Sequence, residues 1–323
     1  VNRNLNEAKA NKKDEFYTQL ADIEVELRNY KEHFKGKVVY CNCDDPRLSN
    51  FFHYFSYNFE HLGLKKLIAT CYKSQNMDLF SQNDSEQAIY LEYSGDKNGN
   101  KVPDPDEIGI KPLKGDGDFR SAECLELLAE ADIVVTNPPF SLFREYLAQL
   151  IKYDKDFLII GAQNAITYTD IFPSIKENKL WLGLTMNSSN RWFQVPDDYE
   201  NYHKIENEKK FAFVAGVVWY TNLSHSKRNE DIVLYKKYNT EEYPTYDNYN
   251  AIEVRKVKEI PRDYKGVMGV PVSFLHKFNP EQFKIVGSNR GVGQDIKNGV
   301  YGRGTFLNGK ETFKRLFIKN KKI

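Results

Sequence analysis

Apolar residues recur along the first two-thirds of the chain in two alternating rhythms. Leu20, Ile23, Leu27 and Tyr30 stand three or four apart, the spacing of one helix face, and predict a helix over 18–34 with Thr18 as its N-cap. Residues 37–43 form a short β-rich run, 48–62 an aromatic-rich helical stretch closed by Gly63, and 66–71 a second short run. Segment 84–113 is polar and turn-rich, and its Gly95-Asp-Lys-Asn-Gly99 predicts a hairpin-like insertion. The alternation then resumes with a helix over 123–129, a strand over 133–136, a helix over 143–152 and a strand over 157–161. Residues 170–178 and 180–184 continue it, and 211–221 reads as the last core strand. Such alternation predicts an α/β fold with a doubly wound, mostly parallel sheet. From about Leu223 the sequence turns Tyr- and Lys-rich, with Pro244, Pro261, Pro271 and Pro280 spaced through it, which divides the chain into 1–222 and 223–323.

Composition narrows the class without naming a function. A chain of 323 residues with 41% apolar content can bury a sizeable core in one large domain or two unequal ones. A net charge of +1 carries no global nucleic-acid signature, so any basic surface must be local. After residue 302, Arg303, Lys310, Lys314, Arg315, Lys319, Lys321 and Lys322 face one acid, Glu311, which fits a DNA-facing surface and a solvated tail equally well. Tyr243, Tyr246, Tyr249 and Arg255 make a second aromatic and cationic neighbourhood, or an ordinary amphipathic surface. Cys41, Cys43, Cys71 and Cys124 have neither disulfide-framework density nor zinc spacing and read as reduced thiols. No apolar run approaches membrane-span length and the first residues do not read as a signal peptide, so a soluble, cytoplasmic protein without a metal is expected.

The chemistry concentrates where the 133–136 run ends. Ile133, Val134 and Val135 suit a strand buried on both faces, and they lead through Thr136 into Asn137-Pro138-Pro139-Phe140. Parallel sheets offer ligands the carboxyl ends of their strands. A residue before proline is driven to extended backbone, and each proline has a fixed φ and no N–H. The Asn137 amide oxygen and the Pro138 carbonyl are then two stiffly held acceptors beside an aromatic face, a set suited to a planar ring bearing an exocyclic amine. The amine of adenine is a weak nucleophile because its lone pair is delocalised into the ring. Two acceptors on its hydrogens draw the nitrogen toward tetrahedral geometry and aim the lone pair at a methyl donor, while Phe140 stacks on the base. A Pro-Pro turn closing a core strand is the plainer reading of the same residues. No cysteine follows a proline as nucleophile, which argues against methylation at a cytosine carbon.

Longer stretches carry a resemblance. Residues 14–18 (Asp-Glu-Phe-Tyr-Thr), 38–46 (Val-Val-Tyr-Cys-Asn-Cys-Asp-Asp-Pro), 115–120 (Gly-Asp-Gly-Asp-Phe-Arg), 136–146, 266–271 (Gly-Val-Met-Gly-Val-Pro) and 279–283 (Asn-Pro-Glu-Gln-Phe) span most of the chain. Together they resemble the EcoRI-type adenine-specific DNA methyltransferases of restriction–modification systems. The resemblance implies a fold of the S-adenosylmethionine-dependent methyltransferase type, with 1–222 catalytic and donor-binding and 223–323 a smaller target-recognition region, helped by 186–210. It implies direct in-line transfer of a methyl group from S-adenosylmethionine to the N6 amine of an adenine flipped out of duplex DNA. Asn137 and Pro138 then orient the amine, Pro139 stiffens the loop and Phe140 stacks.

The same resemblance assigns the donor site. Phe16, Tyr17 and Thr18 are expected over the methionine part of the donor, though a hydrophobic staple before the first helix fits them too. Enzymes of this fold usually carry a glycine-rich loop after the first strand; here that place reads Cys41-Asn-Cys-Asp-Asp-Pro46. Asn42, Cys43 and Asp44 are expected at the donor's amino-acid end, Asp118 on the amine of its adenine and Phe119 against that ring. Tyr249, Arg255, Lys314 and Arg315 are the expected DNA contacts. The implied partners are double-stranded DNA, with GAATTC the first site to test, and a cognate restriction endonuclease that forms no stable complex; the protein is expected to act as a monomer. RNA guanine or protein glutamine methylation, which also uses Asn-Pro-Pro-aromatic loops, and a catalytically inactive DNA-binding relative are the alternatives.

Overall fold

A computed structural model describes residues 17–43, 49–70, 88–100, 102–104, 106–185, 191–195, 197, 199–290 and 304–323. Phe16 and Asp44, both expected at the donor site, and Cys71 lie outside the described residues. The chain forms two units, residues 1–162 with 188–223 and residues 163–187 with 224–323.

The first unit opens with α1 (Leu20–Leu27), which passes through a 3-10 turn at Arg28–Tyr30 into α2 (Lys31–Phe34). Ile23, Leu27 and Tyr30 are buried, as the helical spacing predicts, and so is Phe34, whereas Leu20 of the same pattern is exposed. Thr18 is not the N-cap; Gln19 holds that position and its side chain makes no capping bond. β1 (Val38–Asn42) is followed by α3 (Asn50–Tyr57), capped by the Ser49 hydroxyl, and by α4 (Phe59–Leu62). Gly63 closes α4 with φ 63°, the left-handed turn that lets a helix end without a Cβ clash. There follow β2 (Lys66–Thr70), β3 (Ile89–Tyr93), β4 (Gly109–Pro112), α5 (Ala122–Glu130), β5 (Ile133–Thr136), α6 (Phe143–Lys152) and β6 (Asp156–Ala162). The chain then passes into the second unit through α7 (Phe172–Lys176) and β7 (Trp181–Leu182), and returns for β8 (Arg191–Val195), β9 (Lys204–Glu206), β10 (Lys209–Val214) and β11 (Val217–Thr221).

Seven described strands of the first unit lie in the order β4-β3-β2-β1-β5-β6-β11. The expectation of a mostly parallel sheet is corrected here, because the sheet is mixed. β2, β1, β5 and β6 run parallel at the centre, while β3 pairs antiparallel with both β2 and β4 and β11 pairs antiparallel with β6. The β3–β4 pair is antiparallel because the turn-rich segment folds back as a hairpin, and a hairpin joins only antiparallel strands. The single strand expected over 211–221 is also corrected. Gly216 stands at φ 67° and breaks the run, so β11 joins the large sheet while β10 pairs with β8 and β9 in a separate three-stranded sheet.

The second unit is built on a four-stranded sheet, β12 (Ile252–Glu253), β13 (Met268–Pro271), β17 (Arg315–Asn320) and β14 (Phe283–Ser288), with a small hairpin of β15 (Phe306–Leu307) and β16 (Lys310–Glu311). Arg228 secures residues 163–187 to it. Its guanidinium lies 4.5 Å from the Trp181 ring centre and 5.3 Å from that of Phe278, and it donates to the Asn178 side chain and the Phe278 carbonyl. Burial lowers its pKa to about 10, which leaves it charged near neutrality.

Candidate active site

Ile133, Val134 and Val135 are fully buried, with Val134 set between Tyr40 of β1 and Phe157 of β6. The chain leaves the sheet at Asn137, which is itself buried, and runs through Pro138 and Pro139 into a turn where the Leu142 N–H donates to the Pro139 carbonyl at 2.9 Å. Among the described residues no backbone N–H takes the Pro138 carbonyl. α6 is pressed onto the sheet immediately after this loop. Gly161 of β6 leaves the space, for a Cβ there would stand 2.4 Å from the Phe143 ring. Phe140 is half-buried and meets Phe193 of β8 nearly perpendicularly, ring centres 6.5 Å apart.

The carboxyl end of β1 lies alongside. Thr136 donates its hydroxyl to the Asn42 carbonyl, and the fully buried Tyr146 of α6 donates its hydroxyl to Asn42 Oδ1. With both oxygens engaged, Asn42 has its Nδ2 hydrogens to offer a ligand. Cys43 follows at φ 80°, in the left-handed region that glycine normally occupies. The glycine missing from the sequence is therefore not missing as a backbone shape. Cys43→Gly is expected to fold at near wild-type stability, whereas Cys43→Val, β-branched at positive φ, should lose about 1–2 kcal/mol in urea unfolding.

Phe119 is buried with its ring edge-on to Tyr146 at 5.1 Å and its carbonyl accepting from Gln149 Nε2 at 3.0 Å. Asp118 is held by Arg120. Its carboxylate takes Arg120 Nε at 2.9 Å, Arg120 Nη2 at 2.6 Å and the Arg120 backbone N–H at 2.8 Å. The Arg120 side-chain bonds hold the carboxyl below its ordinary range. The same guanidinium lies 5.2 Å from the Phe119 ring centre and pairs with Glu145.

Tyr17 and Thr18 join this region from two sides. Tyr17 makes a two-bond bridge with Gln194 of β8, the neighbour of Phe193, at 2.8 and 3.1 Å. The Thr18 carbonyl accepts from Asn50 Nδ2 at 2.7 Å, at the start of α3. The Thr18 hydroxyl, on a residue only 1% exposed, has no hydrogen-bond partner among the described residues. A buried orphan hydroxyl is costly unless a ligand completes it. That orphan, the left-handed Cys43 and the Asn42 Nδ2 donors are the features that fit a small polar cofactor.

The comparisons decide the family. Residues 4–321 match the family described as adenine-specific methyltransferase EcoRI. The chain belongs to that family. It is 51% identical over 329 residues to the type II methyltransferase M.EcoRI of Escherichia coli, covering 100% of this chain and 98% of the relative. A type II methyltransferase of Mycoplasma genitalium is 39% identical over 335 residues, 99% of each chain, and M.MpnI of Mycoplasma pneumoniae is 41% identical over 290 residues, 87% of this chain and 84% of the relative. No solved structure matches. Membership makes the chain an adenine-specific DNA methyltransferase of the restriction–modification type.

In this EcoRI-type methyltransferase, the loop 137–140 and residues Asn42, Cys43, Tyr17, Thr18 and Phe119 belong to one unit. The four expected DNA contacts are placed less uniformly in the second. Tyr249 is a core residue, packed edge-on to Phe317 at 5.1 Å among Tyr246, Ala251, Val267 and Val286. Arg315 is 7% exposed and forms a buried ion pair with Glu253. Arg255 is exposed beside a polar pocket lined by Lys236, Glu242, Tyr243 and Lys256. Lys314 is half-buried and donates to Asn164 at 2.8 Å. Among the described residues no His, Cys, Asp and Glu cluster could hold a metal ion, and no helix is long and apolar enough to cross a membrane.

Sequence reasoning missed Tyr146. Its only signal was helical register with Phe143 and Leu150, which marks a core residue and says nothing of a hydroxyl aimed at Asn42. Tyr146→Phe removes that hydroxyl alone. Donor affinity should fall about fivefold, the worth of one hydrogen bond near 1 kcal/mol, with kcat nearly unchanged. A fall in kcat at unchanged donor KM would contradict this positioning role.

Proposed function

We propose that the enzyme moves the methyl group of S-adenosylmethionine to the N6 amine of an adenine flipped out of a specific duplex DNA site, as the modification arm of a restriction–modification system. The observation that carries the reading is the stiff Asn137-Pro138-Pro139-Phe140 exit from β5, standing beside the β1 end that Tyr146 and Thr136 hold in place. In this reading residues 1–222 form a doubly wound methyltransferase domain with 84–113 as a hairpin, and 223–323 read the target. Asn42, Cys43, Tyr17, Thr18 and Phe119 hold the donor, with Phe16 and Asp44 assigned to the same task; Asp118 accepts from the amine of the donor's adenine while Arg120 fixes its carboxylate. S-adenosylmethionine, when bound, supplies a methyl group on a positively charged sulfur. Asn137 Oδ1 and the Pro138 carbonyl accept the two amine hydrogens, Pro139 keeps the loop from relaxing, and Phe140 holds the base plane. Arg255 and Lys314 are the DNA contacts retained, while Tyr249 and Arg315 support them from inside the second unit. The protein acts as a cytoplasmic monomer, with any cognate endonuclease working separately.

The test is methyl transfer from labelled S-adenosylmethionine to unmethylated plasmid DNA, with the product digested to nucleosides. N6-methyladenine is the expected product. Label in RNA or protein and not in DNA would overturn the substrate, and donor binding without any transfer would favour an inactive DNA-binding relative.

A further inference from the structure

Phe313 is the most exposed large hydrophobic side chain among the described residues, at 82%. Single exposed apolar residues are ordinary, and most need no explanation. This one differs in how its backbone is held. The Phe313 carbonyl accepts from Nδ2 of Asn289, a fully buried side chain, at 2.9 Å, and Asn289 Oδ1 takes the Arg315 N–H at 2.8 Å. The Lys314 carbonyl accepts from Arg315 Nη1 at 3.1 Å, and that guanidinium is itself locked onto buried Glu253. Asn289 Nδ2 also reaches Thr305, and the Thr312 N–H donates to the Thr305 carbonyl at 2.7 Å. Both peptide carbonyls at 313 and 314 are thus fixed from beneath while the ring stands in solvent.

Cations stand close by along the chain and beside it. Lys314 follows Phe313, Lys310 lies on β16 just before it, and Arg290 stands two residues past the end of β14. Arg290 directly follows Asn289, whose side chain bonds the backbone at 313 and 315, so this cation stands near Lys314, whose pKa is lowered by burial and, less, by Arg290. Glu311 is the nearby acid and pairs with Arg290 at 3.3 Å. Lys314 pairs with no carboxylate among the described residues, only with the neutral Asn164 oxygen. A half-buried cation next to another cation is a site that gains from an arriving anion. An exposed aromatic on a fixed backbone, with Lys314 next to it in the chain and Arg290 near that backbone, matches the chemistry of a stacked, phosphate-flanked polymer. Apolar wedges that part base steps are positioned by such phosphate contacts.

We propose that Phe313 is a wedge that enters between stacked base pairs of the DNA duplex, with Lys314 and Arg290 gripping phosphates beside it. The proposal rests on the reading of the protein as a DNA methyltransferase. Parting a base step lowers the cost of taking a nucleotide out of the stack. Phe313→Ala keeps the pedestal and both cations, whereas Phe313→Trp keeps a stacking face.

The experiment compares wild type, F313A and F313W on unmethylated plasmid DNA, measuring kcat/KM for labelled methyl transfer, DNA affinity at two salt concentrations and donor affinity. F313A should lose roughly tenfold or more in kcat/KM for DNA, F313W should stay near wild type, and donor affinity and the salt slope should be the same in all three. Equal DNA kinetics in F313A and wild type would overturn the wedge, as would loss of self-association in F313A with DNA kinetics unchanged, which would make the face a contact between copies. A fall in F313A accompanied by lost donor affinity would mean general damage and also overturn it. If wild type places no methyl group in DNA, the methyltransferase reading itself fails, an outcome separate from all of these.

Discussion

Asn137→Ala is expected to slow methyl transfer to DNA roughly 30-fold or more, the loss of about 2 kcal/mol or more of oriented hydrogen bonding, while DNA and donor affinities stay close to wild type. The side chain is 5% exposed and stands at the end of a strand whose Ile133, Val134 and Val135 are wholly buried. Truncation therefore removes an acceptor without disturbing the strand that delivers it. Pro138 and Pro139 remain in place, and their missing N–H groups and fixed φ keep the backbone shape. In the proposed reading, what is lost is one of two acceptors for the amine hydrogens, and with it the pull that frees the nitrogen lone pair. Because that pull grows as the nitrogen becomes tetrahedral, the defect belongs in kcat more than in KM. Single-turnover rates with labelled donor, alongside DNA binding by anisotropy, separate the two. Wild-type turnover in this variant would remove Asn137 from the reacting centre.

The central strand and the helix after the loop were legible in the sequence. β5 spans Ile133–Thr136 and α6 spans Phe143–Lys152, the bounds their patterns predict, because apolar period, β-branching and the Asn-Pro-Pro break all point the same way there. The edges of the sheet were less legible. Period-two runs announce strands but not their direction, so the antiparallel pairings of β3, β4 and β11 had to come from connectivity in space. The division at Gly216 was hidden because residues on either side of it are equally strand-like.

At the candidate site, the stiff exit from β5 was legible in the sequence because stiffness is a local property. Tyr146 was not, since its bond to Asn42 joins positions 104 apart. The absent glycine was noticed, whereas the left-handed backbone at Cys43 could be seen only in three dimensions. Composition also failed to distinguish cations by depth. Arg315 and Lys314 look alike in a basic tail, yet one is locked inside on Glu253 and the other reaches Asn164.

That difference in depth makes Arg315→Ala the largest stability effect expected in the molecule. Arg315 Nε lies 3.1 and 3.0 Å from the two Glu253 oxygens, and Nη2 adds a further bond. Tyr246 donates its hydroxyl to the same carboxylate. Glu253 is 3% exposed, so removing the guanidinium leaves a buried carboxylate with only the tyrosine hydroxyl and little water. Breaking a buried pair from one side typically costs about 3–5 kcal/mol, a large part of the total stability of a domain. Replacing both partners with apolar residues, Arg315→Met with Glu253→Leu, should restore much of that loss, because no charge is then stranded. Urea unfolding of the two variants measures this directly. A DNA-facing arginine would behave otherwise: its loss would leave unfolding unchanged and reduce DNA affinity together with the salt slope. With the burial observed, the expected order is instability first, and weaker DNA binding only because the pedestal beneath Phe313 and Lys314 has loosened.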